Sequence, residues 1–278
     1  MNEVRLRKLA AFTSDPSGGN PAGVWIDDKL PSPQSMQCIA AEVGYSETAF
    51  VAPASGEKRQ VRYFSPEVEV PFCGHATIAT GVALARIEGE GTYHLATAAG
   101  DVPVAVFERD GELEASLTSV NPEFETASAS LVDTVLAVLG WSGEDVDPAI
   151  PPAKAYAGAW HLVLATHRRD RLDVLEYEFD TLRSLMEAEG LVTLQLVWRE
   201  DDGVFHSRNP FPVGGVVEDP ATGAAAAALG GYLRDAGLLK APAILRIRQG
   251  EAMGSPSLLT VDIPEEGGIV VSGTAVAL

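Results

Sequence analysis

Residues Val61–Leu84 have the sequence VRYFSPEVEVPFCGHATIATGVAL, and this stretch decides the fold prediction. It predicts a short strand, a Ser-Pro loop and then a helix that is entered at a glycine. Residues Val204–Leu229, VFHSRNPFPVGGVVEDPATGAAAAAL, repeat this order about half a chain later. Both helices are apolar on nearly all sides, which is typical of a helix at the centre of a domain. The repeat predicts a duplicated module in which a sheet surrounds one buried helix, the alternative being a chance similarity of two strand–helix units.

The apolar pattern elsewhere predicts many short strands and few helices, and hence an α+β fold. The predicted strands are Val4–Phe12, Ala22–Ile26, Thr48–Val51, Gln60–Phe64, Thr92–Ala96, Val102–Phe107, Leu113–Leu117, His161–Ala165, Leu191–Trp198, Val204–Ser207, Ile244–Arg248, Ser257–Ile263 and Ile269–Ala277. The predicted helices are Ser35–Glu42, His75–Ile87, Leu131–Leu139, Leu182–Ala188 and Thr222–Leu233. A segment rich in Ser, Pro and Glu, Ser119–Ser130, suggests domains at 1–118 and 119–278, with a last strand at about 265–278 packing on the first domain.

Composition narrows the possible partners and the compartment. The 278 residues include 39 acidic and 20 basic ones, giving a formal net charge of −19. Nucleic acids and anionic membranes bind through Lys and Arg, so neither is an expected partner. The two cysteines, Cys38 and Cys73, are too few for a disulfide framework and fit a reducing cytoplasm. Met1–Ala11 lacks the apolar core of a signal peptide, and no uncharged stretch is long enough to cross a bilayer.

A glutamate is the first candidate for chemistry. Glu47 lies in Gly44–Val51, GYSETAFV, where it opens an apolar strand directly after a helix and a glycine. A carboxylate that is partly removed from water can act as an acid or base near neutrality. A solvated glutamate at the end of a strand is the alternative, because most glutamates are exposed.

The starts of the two apolar helices are the second candidate. The unpaired N–H groups and partial positive charge of a helix start attract carboxylates, so Cys73–His75 and Ala221–Gly223 could bind an acid. Close packing of small residues is the alternative. His75 at such a start is expected to be neutral, and could bind substrate or orient Glu47. Asp219 could bind a polar substrate group or simply cap the helix that follows.

The sequence motifs that are typical of other kinds of active site are missing. The five histidines form no HxxxH or HxH pair, and there is no CxxC, so the sequence predicts no metal site. Nucleotide-binding glycine loops and a GxSxG nucleophile motif are also missing. Two-cysteine epimerisation needs a thiol on each face of the substrate carbon. Cys73 has no counterpart at the second helix start, and Cys38 is interpreted as a core residue of an amphipathic helix.

The sequence as a whole resembles the phenazine-biosynthesis PhzF-like isomerases, relatives of diaminopimelate epimerase. The motifs that carry the resemblance run in family order along the whole chain. They are Phe12-Thr13 with Gly19–Val24, Gly44–Val51, Tyr63–Pro66 with Glu69–Thr77, Glu218–Ala224, and Arg248–Gly250 with Met253–Ser257.

The resemblance implies two similar domains, each a sheet or barrel around a central helix, with the active site in the cleft between them. It also implies catalysis without a cofactor, a homodimer, and proton transfer by Glu47 on a small carboxylic acid. His75 and Asp219 complete the catalytic set. The implied substrate-binding residues are Asn20, Ser46, Cys73, Gly74, Gly214, Gly215, Thr222 and Gly223, although the pair Gly214-Gly215 is by itself more typical of a turn. In the phenazine enzyme the reaction moves a proton along a conjugated dihydro-hydroxyanthranilate.

The sequence departs from the family pattern at two positions. Ala224 stands where a serine is common, and Ser255 where an arginine is common. Both changes remove polar contacts, so we expect a different or smaller acid as substrate. Two other functions stay open: an epimerase or racemase of an amino or hydroxy acid that uses Glu47 with a second group, and a relative that binds small molecules without catalysis.

Overall fold

The computed structural model describes residues 5–278. The chain divides into two compact units. The first unit comprises Met1–Thr118 together with Ser272–Leu278, and the second comprises Ser119–Val271. The last strand therefore belongs mainly to the first unit, although the chain reaches it only after completing the second.

The strands of the first unit form a closed ring. They are β1 (Leu6–Ala11), β2 (Asn20–Ile26), β3 (Glu47–Val51), β4 (Lys58–Phe64), β5 (Glu69–Val70), β6 (Gly91–Thr97), β7 (Gly100–Arg109), β8 (Glu112–Thr118) and β17 (Val270–Ala277). Neighbours pair in the order β1, β2, β3, β4, β6, β7, β8, β17 and back to β1, with β5 added on β4. The β2–β3 and β4–β6 pairs are parallel. Because the ring closes, its strands leave no unpaired edge.

Helix α2 (Gly74–Glu88) fills this ring. It contacts β1, β2, β3, β7 and β8, and every residue from His75 to Ala85 is buried. The helix can approach the strands so closely only where its side chains are small. A Cβ on Gly81 would lie 2.7 Å from a methyl carbon of Val104 and 3.1 Å from one of Val106. The glycine in the middle of this helix is therefore a packing requirement.

Helix α1 (Pro33–Val43) covers the outer face of the ring. Its start has the predicted Ser-Pro signature: the Ser32 hydroxyl accepts a hydrogen bond from the Ser35 amide at 3.2 Å. The helix ends at Gly44, whose φ of 72° places it in the left-handed region that glycine favours. Met36 and Ala40 pack on the strands beneath, which leaves the chain in position to enter β3 at Glu47.

The second unit repeats this plan. Its strands are β9 (Glu123–Thr126), β10 (Ala153–Tyr156), β11 (Trp160–Thr166), β12 (Thr193–Arg199), β13 (Val204–Phe211), β14 (Val216–Asp219), β15 (Ala243–Gln249) and β16 (Ser257–Ile263). The β11–β12 and β13–β15 pairs are parallel, and antiparallel pairs join β12 to β13 and β15 to β16. The same order of parallel and antiparallel pairs runs from β2 to β7. This shared order supports the predicted duplication.

The helices of the second unit lie on both faces of its sheet. They are α3 (Ala129–Leu139), α4 (Arg169–Asp173), α5 (Phe179–Glu189) and α6 (Gly223–Asp235). Helices α3 and α5 pack on one face through a leucine-rich core, while α6 packs against β9, β10, β11 and β16. Like α2, α6 is buried along most of its length. Within residues 5–278, no helix is long and apolar enough to span a bilayer.

The predicted α+β class, with a central helix in each of two sheet-rich units, is confirmed. The five predicted helices and thirteen predicted strands are present, most of them with shifted ends, although Val4 lies outside the described residues. The sequence patterns missed α4 and four short strands, β5, β9, β10 and β14. All five are two to five residues long, too short for a pattern of alternating polarity to stand out.

One interpretation of a local segment was wrong. Cys38 is exposed, because Met36 and Ala40 turn the buried face of α1 inward and a residue midway between them faces outward. The final strand, predicted from Ile269, begins at Val270 after a bend at residues 265–267. The polar segment at the domain boundary also contains strand β9, which pairs with β10.

The packing of α2 can be tested with a glycine substitution. We expect Gly81→Val to lower the free energy of unfolding by about 1–3 kcal/mol, because the added carbons meet Val104 and Val106 in a filled core. Gly143→Val is the matched control, since Gly143 is exposed and a Cβ there meets nothing within 4 Å. Chemical denaturation of both variants measures the difference. Equal stability of the two variants would contradict the close packing of α2.

Candidate active site

The start of α2 is open to a ligand. Cys73 precedes the helix in an extended conformation, and no side chain caps the first turn. A Cβ on Gly74 would meet no heavy atom of the described residues within 4 Å, so packing does not explain this glycine. The amide groups of the first turn therefore keep the ability to bind an anion.

Three side chains converge at this helix start. The Cys73 thiol donates a hydrogen bond to Glu47 Oε2 at 3.4 Å. His75 Nε2 lies 3.5 Å from the same carboxylate oxygen, and Cys73 Sγ lies 3.4 Å from His75 Nδ1. Cys73 and His75 are buried, while 19% of the Glu47 side chain remains exposed. The structure thus brings an acid, a thiol and an imidazole together, and the donor atoms of all three lie within 4.8 Å of one another.

Glu47, which is partly buried, differs from the buried acid Glu218 in its partners. Glu218, whose side chain is 4% exposed, is paired with Arg208 through two hydrogen bonds. Within residues 5–278, by contrast, the ion pair of Glu47 is with His75 and includes no Lys or Arg. A carboxylate that is largely removed from water without a strong cation is common at functional sites and rare elsewhere.

The strand fixes the position of this carboxylate. Glu47 is the first residue of β3, and Thr48 directly after it is fully buried against β2. Gly23 is the register partner of Thr48, and a Cβ there would lie 2.6 Å from the Thr48 hydroxyl oxygen. Gly23 therefore allows the close approach of the two strands that places Glu47 beside the helix start.

A buried hydrogen-bond chain supports Cys73 from below. The Thr77 hydroxyl donates to the carbonyl of Cys73 at 2.6 Å, so the Tyr63 hydroxyl must be the donor in its 2.7 Å contact with Thr77. Burial raises the pKa of Tyr63 far above its ordinary value, which keeps the phenol a neutral donor. These two hydrogen bonds hold the backbone at the helix start in one position.

Two predicted binding residues lie beside this centre. The Ser46 hydroxyl is 3.3 Å from His75 Nε2, and Ser46 is exposed. Asn20 is the first residue of β2, 2% exposed, and its strand neighbour β3 begins with Glu47. Because β2 and β3 run parallel, their first residues lie at the same edge of the ring.

The predicted site residues at the start of α6 are joined by hydrogen bonds within the second unit. The Thr222 hydroxyl donates to Asp219 Oδ2 at 2.5 Å, directly before α6. Gln249 Nε2 donates to the Asp219 carbonyl at 2.7 Å, and Gln249 Oε1 accepts from the Thr222 amide at 3.1 Å. Gln249 is buried, so it fixes the turn from which Gly223 enters the helix.

Gly214 and Gly215 lie in a tight turn at the end of β13. Gly214 closes the 3-10 turn Pro212–Gly214, where a Cβ would lie 2.3 Å from the Phe211 ring. Gly215 follows with a φ of 81°. Backbone geometry thus accounts for both glycines, and their assignment to substrate binding stays a prediction.

Three positioning residues escaped the sequence analysis: Tyr63, Thr77 and Gln249. Each lies within a motif quoted for the resemblance, which is the signal that could have found it. Their roles were invisible because each acts through a buried hydrogen bond to a residue that is 4 to 30 positions away. Spacing rules for metal or nucleophile motifs do not include such partners.

Known proteins match this chain over most of its length. The family described as phenazine biosynthesis-like protein matches residues 9–278. The Bacillus subtilis protein YfhB, an uncharacterized isomerase, is 32% identical over 289 residues, covering 99% of this chain and 97% of its own length. The trans-2,3-dihydro-3-hydroxyanthranilate isomerase of Pseudomonas fluorescens is 32% identical over 256 residues, covering 90% of this chain and 87% of that protein.

Solved structures of other proteins have the same fold. A PhzF-family protein of Bacillus anthracis has a TM-score of 0.88 and 25% identity, covering 98% of this chain and 96% of that one. A hydroxyproline epimerase of Agrobacterium vitis, with a TM-score of 0.67 and 15% identity over 100% of this chain and 92% of the other, shares the fold. The fold is thus the diaminopimelate epimerase-like one that isomerases and epimerases share.

Within that class, the chain belongs to the phenazine biosynthesis-like family. Its relatives are named isomerases, and the protein is an enzyme of that kind.

The burial of Cys73 can be tested by thiol labelling. We expect iodoacetamide to modify Cys38 rapidly and Cys73 slowly in the native protein, because Cys38 is exposed and Cys73 is 8% exposed. Cys38→Ser should remove the rapid phase. Peptide mass spectrometry measures both sites, and unfolding in guanidinium should make them react alike. Rapid labelling of Cys73 in the native Cys38→Ser protein would contradict the described site.

Proposed function

We propose that the protein is a cofactor-independent isomerase of a small carboxylic acid, in which Glu47 moves a proton from one substrate position to another. The contact of Glu47 with both Cys73 and His75 at an uncapped helix start supports this proposal most directly. Glu47 would abstract a proton from a carbon that a neighbouring double bond or carbonyl activates, and would return it elsewhere on the conjugated system.

The surroundings of Glu47 suit such a role. The carboxylate is mostly shielded from water yet still reachable, and no Lys or Arg of the described residues is paired with it. His75 lies close enough to orient the carboxylate or to bind a substrate oxygen. The Cys73 thiol donates to the same carboxylate oxygen and would hold it until substrate arrives. Together these contacts favour one orientation of the acid–base group.

The relative placement of Glu47 and Cys73 favours proton transfer on one face of the substrate. A two-base epimerase needs its acid and base on opposite sides of one carbon. Glu47 Oε2 and Cys73 Sγ are 3.4 Å apart, which leaves no space for a substrate carbon between them. This pair could therefore remove and return a proton on the same side, as an isomerisation by a single base does, and could not invert a carbon by itself.

The negative substrate group would bind at helix starts. The first turn of α2 has no side-chain cap, and in α6, where Gln249 already accepts from the Thr222 amide, the Thr222 side chain does not cap the first turn that begins at Gly223. Peptide amides there bind a carboxylate without the help of Lys or Arg, and they stabilise charge that develops in the transition state. Asp219 keeps the role of binding a polar substrate group that the resemblance implies.

The substrate class follows from a relative and from two substitutions. One relative is named for trans-2,3-dihydro-3-hydroxyanthranilate, a conjugated amino acid. Ala224 and Ser255 stand where the family commonly has serine and arginine, which removes polar contacts. We therefore propose an unsaturated acid that is smaller or less polar than that compound.

The glutamate mechanism can be tested by Glu47→Gln, which keeps the side-chain shape and removes the base. We expect turnover of an unsaturated acid, and deuterium uptake from solvent into it, to fall about 10²–10⁴-fold. Glu42→Gln on exposed α1 is the matched control and should leave both rates unchanged. Mass spectrometry in deuterium oxide measures the uptake, starting with trans-2,3-dihydro-3-hydroxyanthranilate and smaller conjugated acids.

Two outcomes would contradict this mechanism. A Glu47→Gln protein that turns over an identified substrate at nearly the wild-type rate would assign the proton transfer to another group. Deuterium uptake with inversion at a single carbon would instead favour the epimerase. A circular dichroism spectrum equal to that of the parent protein excludes misfolding as the cause of lost activity.

We also propose that the enzyme is a cytoplasmic homodimer, as the resemblance and the cysteine content suggest. Light scattering on the eluting protein should give about twice the chain mass of 29.3 kDa. The mass should stay constant over a hundredfold dilution if the dimer is stable. A mass of one chain at every concentration would contradict the dimer.

A further inference from the structure

We infer that an arginine–glutamate ion pair, present once in each unit, positions the start of the central helix, and that the pair in the second unit thereby positions the proposed ligand-binding turn before α6. In each pair the guanidinium donates two parallel hydrogen bonds to the carboxylate, an arrangement that we call the fork. The first fork joins Arg62 to Glu69, and the second joins Arg208 to Glu218. The sequence patterns assign no role to any of these four residues.

The two forks have the same geometry. In each, Nε donates to Oε1 and Nη2 donates to Oε2, at 2.7 and 2.6 Å in the first unit and at 3.0 and 2.5 Å in the second. Each arginine lies two residues before the residue that pairs with its glutamate, which is Phe64 in β4 and Pro210 in β13. Diagonal neighbours of this kind on paired strands are within reach of a long side chain. The fork is therefore a repeated feature of the two units.

A short and stiff connection joins each fork to its helix. Each glutamate stands five residues before the glycine that begins the central helix, in the shared pattern Glu-x-Pro-x-x-Gly. The pattern covers residues 69–74 in the first unit and 218–223 in the second. The proline fixes one backbone angle, and a connection of this length absorbs little movement. A displaced glutamate would therefore displace the helix start.

Strand β14 depends on such support because its backbone pairing is weak. It has four residues, and the register of its pairing with β13 shifts between Pro210 and Phe211. Pro210 has no amide hydrogen, so it cannot donate a hydrogen bond to β14. The side chains of Val216 and Val217 are exposed and bury little apolar surface. Other contacts must therefore fix Asp219 at the end of the strand.

Side chains from outside β14 provide these contacts. The Tyr177 hydroxyl donates to the Val217 carbonyl at 2.5 Å. Arg208 binds Glu218 and also donates to the last carbonyl of α4 at 2.9 Å, which connects β14 to that helix. Gln249 supports the turn after β14, so the fork acts on the strand and Gln249 on the turn.

Burial makes the second fork the stronger one. The side chains of Arg208 and Glu218 are 13% and 4% exposed, whereas those of Arg62 and Glu69 are 25% and 38% exposed. Hydrogen bonds between charged groups gain strength where water is excluded, and an exposed pair contributes little. Arg208 also cancels a buried negative charge that would repel an acid at the helix start. This last consequence rests on the proposed function, in which an acid binds there.

Hydrogen exchange of the full chain, measured by mass spectrometry, tests the positioning role without a substrate. Arg208→Lys keeps the charge and loses the two parallel bonds. We expect exchange at residues 216–226 to rise about 10–100-fold, the loss that a hydrogen bond between charged groups represents, while exchange at 69–77 stays unchanged. Arg183→Lys, which alters the exposed pair of Arg183 with Glu187 on α5, is the matched control and should change neither segment.

Two further variants test the fork separately. Glu218→Asp keeps both charges and shortens the acid by one carbon, so it should raise exchange at 216–226 as Arg208→Lys does. Arg62→Lys should raise exchange at 69–77 alone, and by a smaller factor, because the first fork is more exposed. Circular dichroism shows that each variant is folded.

A kinetic measurement separates positioning from a general loss of stability. The proposed proton carrier, Glu47, belongs to the first unit. For the conjugated acids into which the parent protein introduces deuterium, Arg208→Lys should therefore raise KM about tenfold with little change in kcat. A fall in kcat at unchanged KM would contradict a role in positioning the ligand-binding turn.

Two results of the exchange experiment would overturn the inference. One is equal exchange at 216–226 in Arg208→Lys and Arg183→Lys, and the other is a rise that is spread evenly over the chain. The exchange measurement involves no substrate, and the Glu47→Gln experiment leaves both forks intact. The positioning role and the isomerase function can therefore fail independently of each other.

Discussion

Burial of a helix on all sides is the constraint on which this structure depends. In the first unit α2 runs within a closed ring of strands, so its middle can carry only small and apolar side chains or hydroxyls bonded back to the helix. Gly81 shows how strict the constraint is, because even one added carbon would overlap Val104. The titratable side chains of α2 are therefore confined to its two ends, with Arg86 and Glu88 in the last turn and His75 at the start, at the edge of the ring. Glu47, Cys73 and His75 meet at this point.

The two units hold their central helices in place with different side chains. In the first unit Thr77, which is itself bonded to Tyr63, donates to the carbonyl of Cys73. In the second unit Gln249 bonds to the backbone of Asp219 and of Thr222 in the turn before α6. The sheet face of the second unit opposite α3 and α5 also carries a buried hydrogen-bonded group of neutral side chains. It consists of His161, Thr193, Gln195, Ser207 and Asn209.

This difference separates the chemistry of the two helix starts. Burial lowers the pKa of His161 to about 3, so this imidazole stays neutral and belongs to the polar interior. The start of α6 offers amides, hydroxyls and Asp219, while the start of α2 offers a carboxylate, a thiol and an imidazole. The two units thus share one architecture and carry two different sets of polar groups. The arrangement agrees with proton transfer in the first unit and ligand binding in the second.

The α+β class, the two sheet-rich units and the two buried helices could be predicted from the pattern of apolar residues and glycines, because that pattern follows directly from burial. The same reading singled out Glu47 and His75 as candidates. The contact of Glu47 with Cys73, the exposure of Cys38 and the supporting roles of Tyr63, Thr77 and Gln249 became visible in the folded chain alone. These contacts join strands and helices distant along the chain. The distances between such residues are set by strand pairing and helix packing, which no local pattern of residues contains.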